Sequence, residues 1–319
     1  MSVLVFADSS DGKFKKSAFE LVSYGNRIAE QLGSSLTVAT INHSDAAELY
    51  TYGAAKVVNI ECSDFSNFNA KGYASALSAL ANNVGANVVV IDSSADGLYL
   101  APLVAVELNA AYVSNVVSDL ISTAPFTVKR KAFSNKAFSN TEVKTDVKVI
   151  GLAKNSFGTV ENPVDGALES FSFSVDGGLG VAIEKVEKAS GQVTIADADV
   201  VVSAGRGLKG PENWGMVEEL ANVLGAATAC SKPVSDLGWR PHSEHVGQTG
   251  KPVASNLYIA IGISGAIQHL AGVNASKVKV VINTDPEAPF FKAADYGVVG
   301  DAFEVVPKLI DKLKAFKQA

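Results

Sequence analysis

What most limits the folds open to this chain is an alternation repeated along its N-terminal part. Short apolar runs at Val3-Leu-Val-Phe-Ala7 and at residues 36–41, 56–60 and 87–92 alternate with segments of helical apolar spacing over 17–32, 46–52 and 70–81. A last helix follows Asp96-Gly-Leu-Tyr-Leu-Ala-Pro102. Uninterrupted apolar runs are strands covered on both faces, and helices that cross over between them force the strands to run parallel. The fold class is therefore α/β, with an N-terminal domain built on a parallel sheet.

From about residue 127 the period changes. Thr127-Val-Lys-Arg-Lys-Ala-Phe133, Glu142-Val-Lys-Thr-Asp-Val-Lys-Val-Ile-Gly-Leu152 and Val181-Ala-Ile-Glu-Lys-Val-Glu-Lys188 alternate apolar and polar residues, as half-exposed strands do. They are expected to form an antiparallel extension of the first domain. The basic triplet Lys129-Arg-Lys131 then lies on a solvated strand face rather than forming a patch for an acidic partner. Ala189-Ser-Gly-Gln-Val193 reads as a boundary loop, so two domains are expected, 1–190 and 191–319, a division that suits a chain of 319 residues.

The second domain opens with the apolar run Asp197-Ala-Asp-Val-Val-Val-Ser-Ala204, followed by Gly205-Arg-Gly-Leu-Lys-Gly210 and a helical pattern over 214–224. Glycines at G-x-G-x-x-G spacing allow a tight turn and a close backbone approach, and a helix N-terminus offers free N–H groups to a diphosphate. Arg206 adds a permanent charge. A nicotinamide dinucleotide would call for an acidic residue about 20 positions on. The chain instead has Ala227-Thr-Ala-Cys-Ser-Lys-Pro233, with no acid before Asp236. Ser231 and Lys232 suit either the 2′-phosphate of NADP or a different dinucleotide. A purely structural glycine turn remains open from spacing alone.

Further on, Val246-Gly-Gln-Thr-Gly250 presents Gln248 and Thr249 between glycines, as a ligand loop or an ordinary polar turn would. Residues 258–263 read as a buried strand, with Ser264 as N-cap and Gly265, Ala266, Ile267, Gln268 and His269 as the first helical turn. His269 stands just past a strand end, where open α/β sheets bind ligands. His242 and His245 read as structural residues.

Composition narrows the classes. A net charge of −6 argues against a nucleic-acid surface, since neutralising phosphates needs clustered Lys and Arg. Cys62 and Cys230, far apart and the only cysteines, give neither a disulfide framework nor a metal site, and point to a reducing compartment. The N-terminus lacks the pattern of a signal peptide, and no apolar run reaches the roughly 18 residues of a membrane span. A cytoplasmic location, in a bacterial source, is expected.

The segments Gly205-Arg-Gly207, Val246-Gly-Gln-Thr-Gly-Lys251, the run from Leu257 to Gly272, Asn283-Thr-Asp-Pro-Glu-Ala-Pro289 and Ala294-Asp-Tyr-Gly-Val-Val-Gly-Asp301 together resemble the electron transfer flavoprotein alpha subunit family. The resemblance covers the whole chain and is specific from about residue 197. It implies a C-terminal Rossmann-like, doubly wound domain that binds FAD. It also implies a heterodimer with a beta subunit that holds AMP and is contacted by the N-terminal domain. The role implied is electron carrier, not enzyme, shuttling single electrons in fatty acid beta-oxidation. Donors would be flavin dehydrogenases such as acyl-CoA dehydrogenases, and the acceptor a membrane quinone oxidoreductase.

Carried over by position, the resemblance places Arg206, Ser231 and residues Ser264, Gly265, Ala266, Ile267 and Gln268 at the phosphate and ribityl region. Val246, Gly247, Gln248 and Thr249 would line the isoalloxazine, with the Thr249 hydroxyl near N5 and His269 facing the C2 carbonyl. Asn283 and Asp301 would hold the adenosine half. Lys232 stands where the family usually carries arginine, which keeps the charge and loses the planar fork. With His269 and Thr249 it is expected to tune the flavin. Two other readings stay open: the alpha subunit of a flavin-based electron-bifurcating complex, whose beta subunit holds a second FAD, and an NADP-dependent oxidoreductase.

Overall fold

A computed structural model describes residues 2–133, 135–181, 183–186, 194–195 and 198–318. The chain divides into two compact units, the first formed by Met1–Phe133 and Ala137–Val186, the second containing Glu187–Ala319. The boundary loop expected at 189–193 lies outside the described residues.

The first unit runs β1 (Ser2–Phe6), β2 (Ser9–Ser10), β3 (Lys13–Phe14), α1 (Lys16–Leu32), β4 (Ser35–Ile41), α2 (Ala47–Tyr50), β5 (Lys56–Glu61), α3 (Ala70–Asn83), β6 (Val88–Asp92) and α4 (Ala95–Glu107). It continues through β7 (Ala111–Val116), β8 (Ser122–Thr123), β9 (Phe126–Ala132), β10 (Ala137–Glu142), β11 (Lys148–Leu152) and β12 (Ala167–Ser172). Its main sheet has the order β10-β9-β7-β11-β6-β1-β4-β5-β12, with β8 paired to β9. From β7 to β12 every pairing is parallel; β9 and β10 form the antiparallel edge.

Period-two alternation within β1 sends Val3 and Val5 to one face with α1, and Leu4 and Phe6 to the other with α3 and α4. Because both faces are covered, the strands carry few polar residues. One buried charge is fully used: the Glu20 carboxylate accepts the backbone N–H groups of Asn155, Phe157 and Gly158 at 2.8–2.9 Å.

Two elements differ from expectation. Residues 148–152 do not join the antiparallel edge. β11 inserts in parallel between β6 and β7, with Val149, Ile150 and Leu152 buried, because the chain returns from the β9–β10 hairpin into the centre of the sheet. Of the strand expected at 181–188, the described residues 181 and 183–186 form none. The edge beside β5 is taken by β12 instead.

The second unit runs β13 (Val200–Ala204), α5 (Gly215–Leu224), β14 (Ala227–Cys230), α6 (Lys232–Asp236), β15 (Leu257–Ile261), α7 (Ile267–Val273), β16 (Val278–Asn283), β17 (Tyr296–Val299) and α8 (Ala302–Gln318). Its five strands are all parallel, in the order β14-β13-β15-β16-β17. Val202, Ala204, Ile259 and Ile261 pack with α5 and α8 on one face, and Val201, Tyr258, Ala260 and Phe290 form the core on the other. The helix after the glycine motif starts later than its spacing suggests. Turns of 3₁₀ helix at Arg206–Leu208 and Pro211–Asn213 come first, since Pro211 re-initiates the chain before α5.

Candidate functional site

From β13 the chain crosses through α5 to β14 on one side, while β15 flanks β13 on the other. A reversal of this kind leaves a crevice over the carboxyl ends of the strands, where ligands of open α/β sheets bind. Here the loops after β13, β14, β15 and β16 enclose a cavity of about 560 Å³. Small-molecule sites span roughly 300–1,000 Å³.

Glycines set the cavity's shape. A Cβ on Gly207 would lie 2.6 Å from Gly262 Cα, and one on Gly262, itself at φ +61°, would lie 2.8 Å from Gly207 Cα. The two loops thus touch backbone to backbone, tied by the Gly207 N–H donating to the Gly262 carbonyl at 3.2 Å. No side chain can stand between them.

The loop before the Val246-Gly-Gln-Thr-Gly250 segment is hooked onto the sheet where the Val246 N–H donates to the Cys230 carbonyl at 3.0 Å. Arg240 braces it. Its guanidinium donates to both carboxylate oxygens of Glu244, at 2.9 and 2.7 Å, and lies 5.5 Å from the centroid of the Trp214 ring. Burial, then Glu244, pushes the Cys230 thiol up to about 12, against the influence of Arg240, so the thiol stays protonated and unreactive.

Beneath the loop is a buried polar pair. Tyr258, fully buried in β15, has its hydroxyl 3.0 Å from Nε2 of His269 in α7. Burial raises the phenol's pKa, with the Ser203 hydroxyl acting the other way, so Tyr258 remains an O–H donor. That contact engages one ring nitrogen and leaves Nδ1, a buried atom on a residue that lines the cavity, as the second polar atom of the neutral ring. Burial, then His245, lowers the His269 pKa to about 4 against the Val246 backbone, which raises it. The ring is neutral at pH 7.

Most of the residues singled out from sequence converge here. Arg206 comes from the β13 loop, Ser231 and Lys232 from the end of β14, and Val246, Gly247, Gln248 and Thr249 from the braced loop. Ser264, Gly265 and Ala266 come from the β15–α7 connection, Gln268 and His269 from the first turn of α7, and Asn283 from the end of β16. Two do not join them. Ile267 is 63% exposed and points away from the lining. Asp301 sits outside the lining at the start of α8, accepting the Phe303 N–H at 2.9 Å, with Lys209 Nζ 4.0 Å away. Ser264 is not a helix cap, because α7 begins only at Ile267. Its carbonyl accepts the Phe290 N–H at 3.0 Å instead.

His245, read from sequence as structural, also lines the cavity. Its place directly before the glycine-flanked segment was the available signal. Among the described residues lining the cavity, Arg206 and Lys232 carry positive charge and none is a carboxylate. This donor set fits an anionic dinucleotide: backbone walls, two cations, and imidazole and amide groups for an uncharged ring.

Family comparison agrees with this geometry. Residues 3–191 match the model described as the electron transfer flavoprotein domain, and residues 194–274 the one described as the electron transfer flavoprotein FAD-binding domain. The electron transfer flavoprotein subunit alpha of Bacillus subtilis (strain 168) is 36% identical over 318 residues, covering 98% of this chain and 97% of the relative. That of Syntrophomonas wolfei subsp. wolfei is 35% identical, covering 97% and 98%. Protein FixB of Clostridium saccharobutylicum is 30% identical, covering 98% and 96%. With both family domains in order and relatives matched nearly end to end, the chain belongs to the electron transfer flavoprotein alpha-subunit family, whose members are electron carriers, and it contains that family's FAD-binding domain.

Proposed function

We propose that this chain holds FAD in the cavity of its second unit and, paired with a beta subunit carrying AMP, passes single electrons from flavin dehydrogenases such as acyl-CoA dehydrogenases to a membrane quinone oxidoreductase. The reading places the FAD-binding domain at 191–319 and contact with the beta subunit in 1–190, in the cytoplasm. No helix among the described residues is long and apolar enough to cross a membrane.

The observation that carries the reading is a switch-point cavity lined by two cations and no carboxylate. Such a site suits an anionic dinucleotide. Bound FAD supplies the redox chemistry. Arg206 offsets the diphosphate's negative charge, the close approach of Gly207 and Gly262 lets it lie against bare backbone, and Lys232 brings its positive charge to the flavin ring. Neutral His269 offers its imidazole, and Thr249 a hydroxyl, to the ring; donors placed where negative charge accumulates on reduction raise the reduction potential. Ser231, Gln248, Ser264, Gln268 and Asn283 orient the remainder, with Asp301 assigned to the adenosine end.

The test is a count of flavin and nucleotide extracted from the co-expressed heterodimer, followed by stepwise dithionite titration. One FAD and one AMP per heterodimer, with reduction in two one-electron stages, is the expected result. Two FAD would move the chain to an electron-bifurcating complex. Absence of flavin, with NADP bound in its place, would overturn the carrier reading.

A further inference from the structure

The electron-carrier reading uses His269 and leaves a second histidine of the same cavity without a role. His245 is 1% exposed, and both of its ring nitrogens are buried without a hydrogen-bond partner. A neutral imidazole carries one donor and one acceptor. Leaving both unmade in the interior is costly, and native structures seldom do so without a purpose.

The surrounding backbone does not need the ring. The His245 N–H donates to the His242 carbonyl at 3.1 Å, and its own carbonyl accepts the Lys251 N–H at 2.9 Å, so any residue would hold this turn. The ring lies beside that of His242, centroids 5.2 Å apart, and its Nε2 is 3.5 Å from where a Cβ on Gly247 would stand. It is thus packed into the loop at the cavity with no hydrogen-bond partner among the described residues.

We propose that His245 is a flavin-contacting residue, its neutral imidazole hydrogen-bonding the uncharged polar edge of the dinucleotide. The assignment rests on the FAD reading of the cavity and adds to it a contact that neither the family motifs nor the sequence pattern supplies. The groups facing the ring agree. Burial, then His242 and Lys232, depress its pKa, and Asp236 acts in the other direction, so the ring is uncharged at neutral pH. Arg206 is left for the phosphates, and a neutral donor–acceptor pair suits an imide N–H and its adjacent carbonyls.

A contact residue and a structural residue predict opposite pairs of changes. Replacing the imidazole by leucine, in the heterodimer, removes two unmade bonds from the flavin-free protein and one made bond from the loaded one. His245→Leu is expected to weaken FAD binding about tenfold, or ~1.4 kcal/mol, while the flavin-free thermal midpoint stays level or rises. His245→Gln, which keeps a donor and an acceptor, is expected to recover most of the affinity. In the wild-type protein, the His245 ring ¹⁵N shifts are expected to move when FAD is added.

Unchanged ring shifts, leucine binding FAD like wild type, or leucine lowering the flavin-free midpoint together with affinity would each overturn the contact role and leave the FAD reading standing. Wild-type heterodimer that takes up no FAD would overturn both.

Discussion

Lowering pH should strip stability from the second unit through His269. The ring ordinarily titrates near 6.5 and is held at about 4 in the fold. Between those values the unfolded chain binds a proton that the native state refuses, so the contribution is complete above 6.5 and is lost as pH falls towards 4. At about 1.4 kcal/mol for each pH unit of displacement, the loss amounts to about 3 kcal/mol when the window has been crossed.

The assay is urea denaturation of the flavin-free chain from pH 7 to pH 4.5, followed by tryptophan emission. Trp214 and Trp239 are the only tryptophans and both belong to the second unit, so the signal reports on that unit alone. Carboxylates titrate over the lower part of the same range in every variant, so the decisive quantity is the difference from His269→Gln. That variant keeps a side-chain acceptor for Tyr258 and has no ionisable ring. Wild type should lose stability more steeply than His269→Gln, by about 1.4 kcal/mol per pH unit below 6. Parallel curves for the two proteins would refute the buried neutral histidine.

Gly207→Ala should destabilise the second unit by ~1–3 kcal/mol and cut FAD content, since the added Cβ meets Gly262 backbone at 2.6 Å. Gly215→Ala, with open space at the first position of α5, is the matched control; urea midpoints distinguish them. Glu20→Gln should cost the first unit about 1–3 kcal/mol, because the amide oxygen can keep the Phe157 and Gly158 N–H groups while its NH2 is turned against the Asn155 N–H that the second carboxylate oxygen now accepts. Far-UV circular dichroism during denaturation would show an early transition, and its absence would count against that account. Lys232→Arg keeps the charge and adds a planar fork, so both one-electron potentials of bound FAD should shift, on the order of 30–60 mV, with stability unchanged. Identical potentials would mean that the side chain does not sense the ring.

The α/β class was legible because it depends on local period. Runs such as Val88–Asp92 bury residues on both faces of a sheet, and only helices on each side can cover them. The glycines of the crevice were legible for a similar reason: an approach of 2.6 Å between a new Cβ and another backbone leaves a residue type no freedom. What could not be read from local pattern was sheet order and partnership. β11 carries the alternation of an edge strand, yet it lies at the centre, because its neighbours β6 and β7 are chosen by chain return rather than by its own residues.

The site divides along the same line. Residue types and spacing determined which loops would be polar, glycine-rich and placed after apolar strands. Only the tertiary structure decided that Ile267 turns outwards, that Asp301 sits apart at the start of α8, and that His245 is buried against the cavity with both nitrogens unpaired. The physical reason is that period and composition are properties of neighbours along the chain. Burial, hydrogen-bond satisfaction and the depressed pKa of His269 arise from groups such as Tyr258 and His245, brought together when four strand ends meet.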